Sequence, residues 1–127
     1  MPRHVLDELS IHSAIRSQIA GWNESIVNEV RDAAAANDVV VVGMRQNPFP
    51  TRARKALAAI GQPCKYLEYG SYFSMWRRRT ALKMWTGWPT FPMVFVKGVL
   101  VGGASELQAL MASGEFQRML QADTTAR

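Results

Sequence analysis

A chain of 127 residues, 48% of them hydrophobic, is long enough to bury one core unaided. Its single cysteine, Cys64, excludes an internal disulfide, a paired-cysteine metal knuckle and a CxxC redox pair. The net charge of +5 is split, because residues 1–38 set three arginines against six carboxylates (−3) while residues 39–121 set eleven Lys or Arg against Glu68, Glu106 and Glu115 (+8). A basic body with an acidic leader points to anionic partners for the body.

The opening "MPRHVLDELS" lacks the hydrophobic region of a signal peptide, and no apolar run approaches the roughly 20 residues of a membrane span. A cytoplasmic protein without a membrane partner is expected. Residues 5–20 read as a helix with Ile11, Ala14, Ile15, Ile19 and Trp22 on one face. An acidic helix with such a stripe is expected to dock, on its own body or on a second copy, with Ile15, Ile19 and Trp22 supplying most of the attachment. Gly21-Trp22-Asn23 breaks it. Asn23 is placed to cap a second helix whose buried face is Ile26, Val27, Val30 and Ala34.

Val39–Val42 is β-branched and unbroken, the pattern of a central strand buried on both faces. Then come Asn47-Pro48-Phe49-Pro50 and a helix over 51–60, with Ala53, Ala56, Leu57 and Ile60 spaced for one face and Gly61 to end it. Asn47 suits the N-cap and Pro48 the first helical position. Residues 64–69 form a second strand, entered through Pro63 and therefore at an edge. A helix rich in arginine and aromatic residues covers 74–85. "TFPMVFVKG" and "VLVGG" are two strands joined at a tight Lys97-Gly98 turn, and 105–120 is a last helix with Leu107, Leu110 and Met111 inward. The order β-α-β-α-β-β-α after a helical leader predicts two parallel strands joined by a right-handed crossover and then an antiparallel hairpin. This is an α/β, thioredoxin-like, three-layer fold: a four-stranded mixed sheet flanked by helices, with an N-terminal helical extension.

Other signals carry less. No zinc-finger spacing, RNP-like strand or Gly-x-x-Gly loop accompanies the basic body, and Arg77-Arg78-Arg79 reads as a solvated helix face, so nucleic acid is not the expected partner. His4 and His12 stand eight residues apart with no cluster converging on them, so no metal site is expected. Trp85 and Trp88 read as core and rim packing beside the "WPTFP" loop.

The stretch "RTALKMWTGWPTFPMVFVKGVLVGGASELQALMASGEFQRML", residues 79–120, resembles the glutaredoxin family, most of all its monothiol class, without a gap. "WPTFP", the "KG" turn, "VGG" and "SGE" stand at family spacing, and the resemblance extends over about residues 24–121. It divides the chain into a helical extension at 1–22, a glutaredoxin-like domain at 23–121 and a frayed tail at 122–127. The resemblance implies a glutathione site. Thr90, Phe91 and Pro92 match the tripeptide with a cis-proline that pairs with the cysteinyl backbone of glutathione. Gly102, Gly103, Ser105 and Glu106 match the region receiving the γ-glutamyl end, and Arg45, Arg79 and Lys83 match basic residues that commonly hold the glycine carboxylate or the cluster-bound thiol. Arg45, Arg52, Arg79 and Lys83 are expected to converge near the N-terminus of the helix after the first strand.

The departure is at the nucleophile. Family members read Cys-Pro-Tyr-Cys or Cys-Gly-Phe-Ser in the loop where this chain reads Asn47-Pro48-Phe49-Pro50, so Asn47 and Pro48 stand at the position of the attacking thiol. Thiol-disulfide exchange needs a thiolate. The reading is therefore a glutaredoxin-related protein with a degenerate active site, binding glutathione or a protein partner in redox or iron–sulfur homeostasis without thiol catalysis. No catalytic residue is assigned. An iron–sulfur cluster is not expected, because an asparagine cannot replace the thiolate ligand. A homodimer through the N-terminal helix is one arrangement of the leader. The alternative is an active glutathione-dependent oxidoreductase using Cys64 or a partner's thiol.

Overall fold

The computed structural model describes residues 3–21, 23–71 and 74–121. Trp22 of the leader stripe and the frayed tail expected at 122–127 lie outside the described residues. Among those residues no helix is long and apolar enough to cross a membrane.

The leader is shorter in helix than its periodicity suggests. A 3₁₀ turn at Glu8–Ser10 ends at Ile11, whose extended backbone (φ −109°, ψ 128°) interrupts the helix. His12 restarts it, its Nδ1 accepting from the Ala14 N–H at 3.0 Å, and α1 follows over Ser13–Gly21. Ile15 and Ile19 are 44% and 50% exposed, and no residue of α1 is buried. The helix expected over 5–20 is thus corrected to Ser13–Gly21, and its own body leaves the Ile15 and Ile19 stripe half covered.

α2 (Glu24–Ala36) buries Ile26, Val30 and Ala34 as its periodicity requires. Asn23, however, is left-handed (φ 51°) and its side chain makes no capping bond. The sheet comprises β1 (Val39–Gly43), β2 (Lys65–Glu68), β3 (Met93–Val96) and β4 (Val99–Gly102), in the order β2-β1-β3-β4. β1 runs parallel to β2 and antiparallel to β3, and β3 pairs antiparallel with β4. The β3–β4 turn has both central residues left-handed, Lys97 at φ 51° and Gly98 at φ 80°, as the twist of a two-residue hairpin demands. β2 is the edge strand on one side, and β1 is buried along its whole length. The three-layer thioredoxin-like arrangement is the one the element order predicts.

β1 feeds two cores because its side chains alternate. Val40 and Val42 face one cluster, with Ile26 and Val30 of α2 and Leu82 of α4 (Trp76–Thr86). Val39 and Val41 face the other, with Ala53 and Leu57 of α3 (Pro48–Ala59), Leu107 of α5 (Ala104–Ser113) and Phe116 of α6 (Glu115–Gln121). The single helix expected at 105–120 is two, since Gly114 adopts φ 83° between α5 and α6 and closes α5 with a left-handed cap. Ile60, expected to face inward at the end of the third helix, lies beyond α3 and is 49% exposed.

α3 meets the end of β1 at Gly43. A Cβ there would stand 2.8 Å from both Cβ and Cγ of the buried Pro50 and 3.0 Å from the Tyr66 hydroxyl. The first turn of α3 therefore rests on bare backbone. Gly43→Ala should lower unfolding free energy by about 1–3 kcal/mol, the range of overpacking. Gly21→Ala, where nothing lies within 4 Å of the added carbon, should change it by less than about 0.5 kcal/mol. Urea denaturation of the two variants checks the contrast.

Candidate functional site

Beyond β1 the chain turns through Gln46, left-handed at φ 66°, into Asn47, which takes an extended N-cap conformation (φ −113°, ψ 121°). The Asn47 Oδ1 accepts from the Phe49 N–H at 3.0 Å, and its Nδ2 donates to the Phe91 carbonyl at 3.2 Å. A helix begins with N–H groups that have no intrahelical partner, and these bind anions and stabilise thiolates. Here Pro48 and Pro50 have no N–H to offer, and that of Phe49 is taken by the cap. Positions 48 to 50, the first three of α3, therefore present no free N–H.

The Phe91–Pro92 peptide is cis, as the resemblance implies. Opposite α3, this loop and the first turn of α5 close a cleft of about 440 Å³. Its walls are Met44, Asn47, Pro48 and Phe49 on one side, Lys83 and Pro89–Pro92 on another, and Gly103–Glu106 on the third. Of the residues expected at the site, Asn47, Pro48, Lys83, Thr90, Phe91, Pro92, Gly103, Ser105 and Glu106 are brought together. Arg45, Arg79 and Gly102 are not among the walls.

Each of the three has another task. Arg79 is 6% exposed, and its guanidinium donates to the Tyr69 carbonyl at 2.9 Å and the Ser74 carbonyl at 2.5 Å. Buried irregular backbone needs hydrogen-bond partners, and Arg79 supplies them to the connection between β2 and α4. Arg45 lies beside Glu68, its Nε 3.7 Å from the carboxylate, with both side chains well exposed. Gly102, at φ 114°, is where a Cβ would meet Cβ and Cγ of Glu106 at 2.8 Å, so its bareness seats the first turn of α5. Arg52 donates to Gln108 at 3.2 Å and lies over the Phe49 ring at 5.5 Å. The expected convergence of Arg45, Arg52, Arg79 and Lys83 is therefore corrected. Among the described residues Lys83 is the one cation on the cleft walls, with its ammonium 5.7 Å from the centre of the Phe91 ring.

Glu106 brings a carboxylate to the cleft, yet one of its oxygens accepts from the Gly103 N–H at 2.9 Å and caps α5. Trp88 adds a feature the sequence did not flag. Among the described residues its buried indole Nε1 has no hydrogen-bond partner, and a Cβ added to Gly103 would come within 3.8 Å of it. Met44, Phe49 and Pro89 also went unflagged, since an apolar wall has no local signature.

Cys64 lies elsewhere. It borders a surface pocket with Asn37, Asp38 and Val39 at the start of β1, whereas the cleft opens past its end. At about 3.3 Å per residue the strand alone separates them by roughly 13 Å. Burial pushes the Cys64 thiol above its usual range, with Arg54 partly offsetting this. The thiol is thus protonated at neutral pH. Among the described residues no group of three or more His, Cys, Asp or Glu could hold a metal ion.

Two expectations follow from these assignments. Arg79→Ala leaves buried carbonyls without partners and should destabilise the fold by about 2–4 kcal/mol, whereas Lys83→Ala should cost less than about 0.5 kcal/mol; thermal melting of both variants reads the difference. Cys64 should react with Ellman's reagent at pH 7.5 more slowly than free cysteine, and its rate should begin to rise at a higher pH than that of free cysteine.

No protein-family model matches the chain. A glutaredoxin-like protein of Dictyostelium discoideum is 48% identical over 92 residues, covering 72% of this chain and 75% of the relative. Glutaredoxin C1 from Populus tremula x tremuloides, in a crystal structure of its holo form, superimposes with a TM-score of 0.68 at 25% identity, over 83% of this chain and 94% of the other. The buckwheat glutaredoxin–glutathione complex does so with a TM-score of 0.68 at 21% identity, over 79% and 91%. With the crossover, the cis-proline loop and the cleft in place, the extent of the Dictyostelium match settles the family: this chain belongs to the glutaredoxins, and it is a member whose one cysteine stands outside the cleft.

Proposed function

We propose that the cleft binds glutathione, or a peptide of similar shape, and that the chain performs no thiol chemistry of its own. The observation that carries this is the first turn of α3, where a carboxamide cap and two prolines stand in place of a thiol and its stabilising donors. A nucleophilic thiolate needs both. The rest of the cleft retains what an anionic peptide needs: the backbone of Thr90–Pro92 for pairing, Lys83 for a carboxylate, and Gly103 with Ser105 at the start of α5. Glutathione as the ligand is also in keeping with the buckwheat neighbour of the same fold, whose crystal structure is that of a glutaredoxin–glutathione complex.

Iron–sulfur chemistry is outside this proposal, because the donor set at the cleft contains no thiolate. Anaerobic reconstitution with iron and sulfide should leave the protein colourless; a stable brown product with near-stoichiometric iron would overturn that part. A protein partner is a second reading, favoured by the exposed Val5, Leu6 and Leu9 of the leader at 70%, 67% and 83%.

The test of the main reading is a ¹⁵N NMR titration with reduced glutathione beside a glutathione-disulfide reduction assay. Shifts concentrated at Thr90, Phe91, Gly103 and Ser105, weakened several-fold in Lys83→Ala, with no turnover, are expected. Turnover that disappears in Cys64→Ser would replace this reading with that of an oxidoreductase.

A further inference from the structure

Asn47 does two things at once, and a simple cap does only one. Its Oδ1 holds the Phe49 N–H, which fixes the orientation of the amide and leaves Nδ2 to donate across the cleft to the Phe91 carbonyl. These partners lie 44 positions apart, on opposite walls of the cleft. Ser, Thr and Asp serve equally well as N-caps. None of them carries a second polar atom that reaches Phe91 from that position: in Ser and Thr the capping oxygen is also the only donor atom and lies one bond short of the Asn47 Nδ2, and Asp would set a carboxylate oxygen against a carbonyl. Among good cap residues only asparagine makes this bridge.

The bridge matters because of which carbonyl it takes. An extended ligand that pairs antiparallel with residue 91 exchanges two hydrogen bonds with it, one to its N–H and one to its C=O. Among the described residues no backbone hydrogen bond outside helices and strands is made by the Phe91 N–H, so the protein's own backbone does not take that half of the pairing edge. The other half is occupied by the protein's own side chain.

We propose that Asn47 is a built-in competitor in the cleft: its carboxamide takes the Phe91 carbonyl that the main-chain N–H of a bound peptide would use. This deepens the peptide-binding reading above and rests on it. Two consequences follow. The carbonyl oxygen has two lone pairs, but Asn47 and Phe91 both line the cleft, so Nδ2 stands on the side from which a ligand would approach; a ligand that pairs fully must displace it, and affinity is held below what the same cleft would give with a shorter cap. A ligand that offers an acceptor to the Phe91 N–H but no donor to its carbonyl suffers no such loss. The cleft is thereby tuned away from full main-chain pairing and toward ligands with an ester, a tertiary amide or a carboxylate at that position.

The experiment compares the full-length protein with Asn47→Ser, which keeps the cap and removes the bridge, and with Asn47→Thr as a second variant of the same design. Thermal melting establishes that each is folded. Affinities are measured by calorimetry for S-methylglutathione and for its ester analogue, in which the γ-glutamyl–cysteinyl amide N–H is replaced by oxygen. The gain from one net hydrogen bond corresponds to about a 2- to 10-fold change. Asn47→Ser should bind S-methylglutathione tighter by about that factor, and the ester substitution should weaken the variant by a similar factor while weakening the parent by less than about 2-fold. This coupling isolates the bridge from any general effect of the substitution. If the parent binds at Thr90 and Gly103 but Asn47→Ser and Asn47→Thr bind no tighter, the competitor role is wrong and the peptide-binding reading stands. If neither the parent nor the variants bind either compound, both fall.

Discussion

Both cores of the domain depend on a single strand. β1 places Val40 and Val42 against α2 and α4 and Val39 and Val41 against α3, α5 and α6, and all four are at most 1% exposed. Full burial of a valine side chain is worth about 1.5–3 kcal/mol, so this one strand ties the two helical layers to each other. Its parallel pairing with β2 and antiparallel pairing with β3 settle where its far end lies. The cleft opens there, beyond Gly43, because α3 and the cis-proline loop before β3 both approach that end. The position of the site is a consequence of how β1 is buried.

The first turn of α3 is where that scaffold meets chemistry, and its residues divide the work. Pro50 packs on the bare backbone of Gly43, which fixes the height of the helix above the sheet. Pro48 supplies a preorganised first position without an N–H, and Asn47 closes the remaining donor. Each choice favours a well-formed helix start and removes a feature that a thiolate would need. A helix end with free N–H groups is reactive because it is unsatisfied; this one is satisfied locally.

The sequence conveyed the sheet and most helices because their signals are local: β-branched runs, three-four spacing, a glycine after the last turn. The same locality explains the misreadings. In the leader the apolar spacing continued through Ile11, but the backbone there is extended and His12 starts the helix anew, a tertiary outcome that periodicity does not encode. At Gly114 a residue legible as a family signature was also a helix terminus, and the apolar pattern on both sides hid it. Among the cleft walls, Gly103, the cis-proline and Lys83 are residues that resemblance alone had pointed to. Arg79, matched in the same way, is not among them, since a position matched to ligand binding carries an equally good reason to be arginine, namely the buried carbonyls of Tyr69 and Ser74. A multi-donor guanidinium serves either role, and only the fold decides between them.

Long-range polar contacts were beyond reach for the same reason. That Asn47 would cap a helix is readable from Asn-Pro; that its second amide group would find the Phe91 carbonyl is not, because nothing near either residue marks the other. Trp88 shows the converse case, an indole N–H near the cleft that has no partner among the described residues. A buried donor without an acceptor costs about 1–3 kcal/mol, which the packing of a large ring can offset. The cleft thus holds a carbonyl that is already engaged and a donor that is not, on walls set by elements far apart in sequence. Its selectivity is decided by these polar groups more than by its shape, since the apolar walls around Met44, Phe49 and Pro89 accept many ligands of similar size.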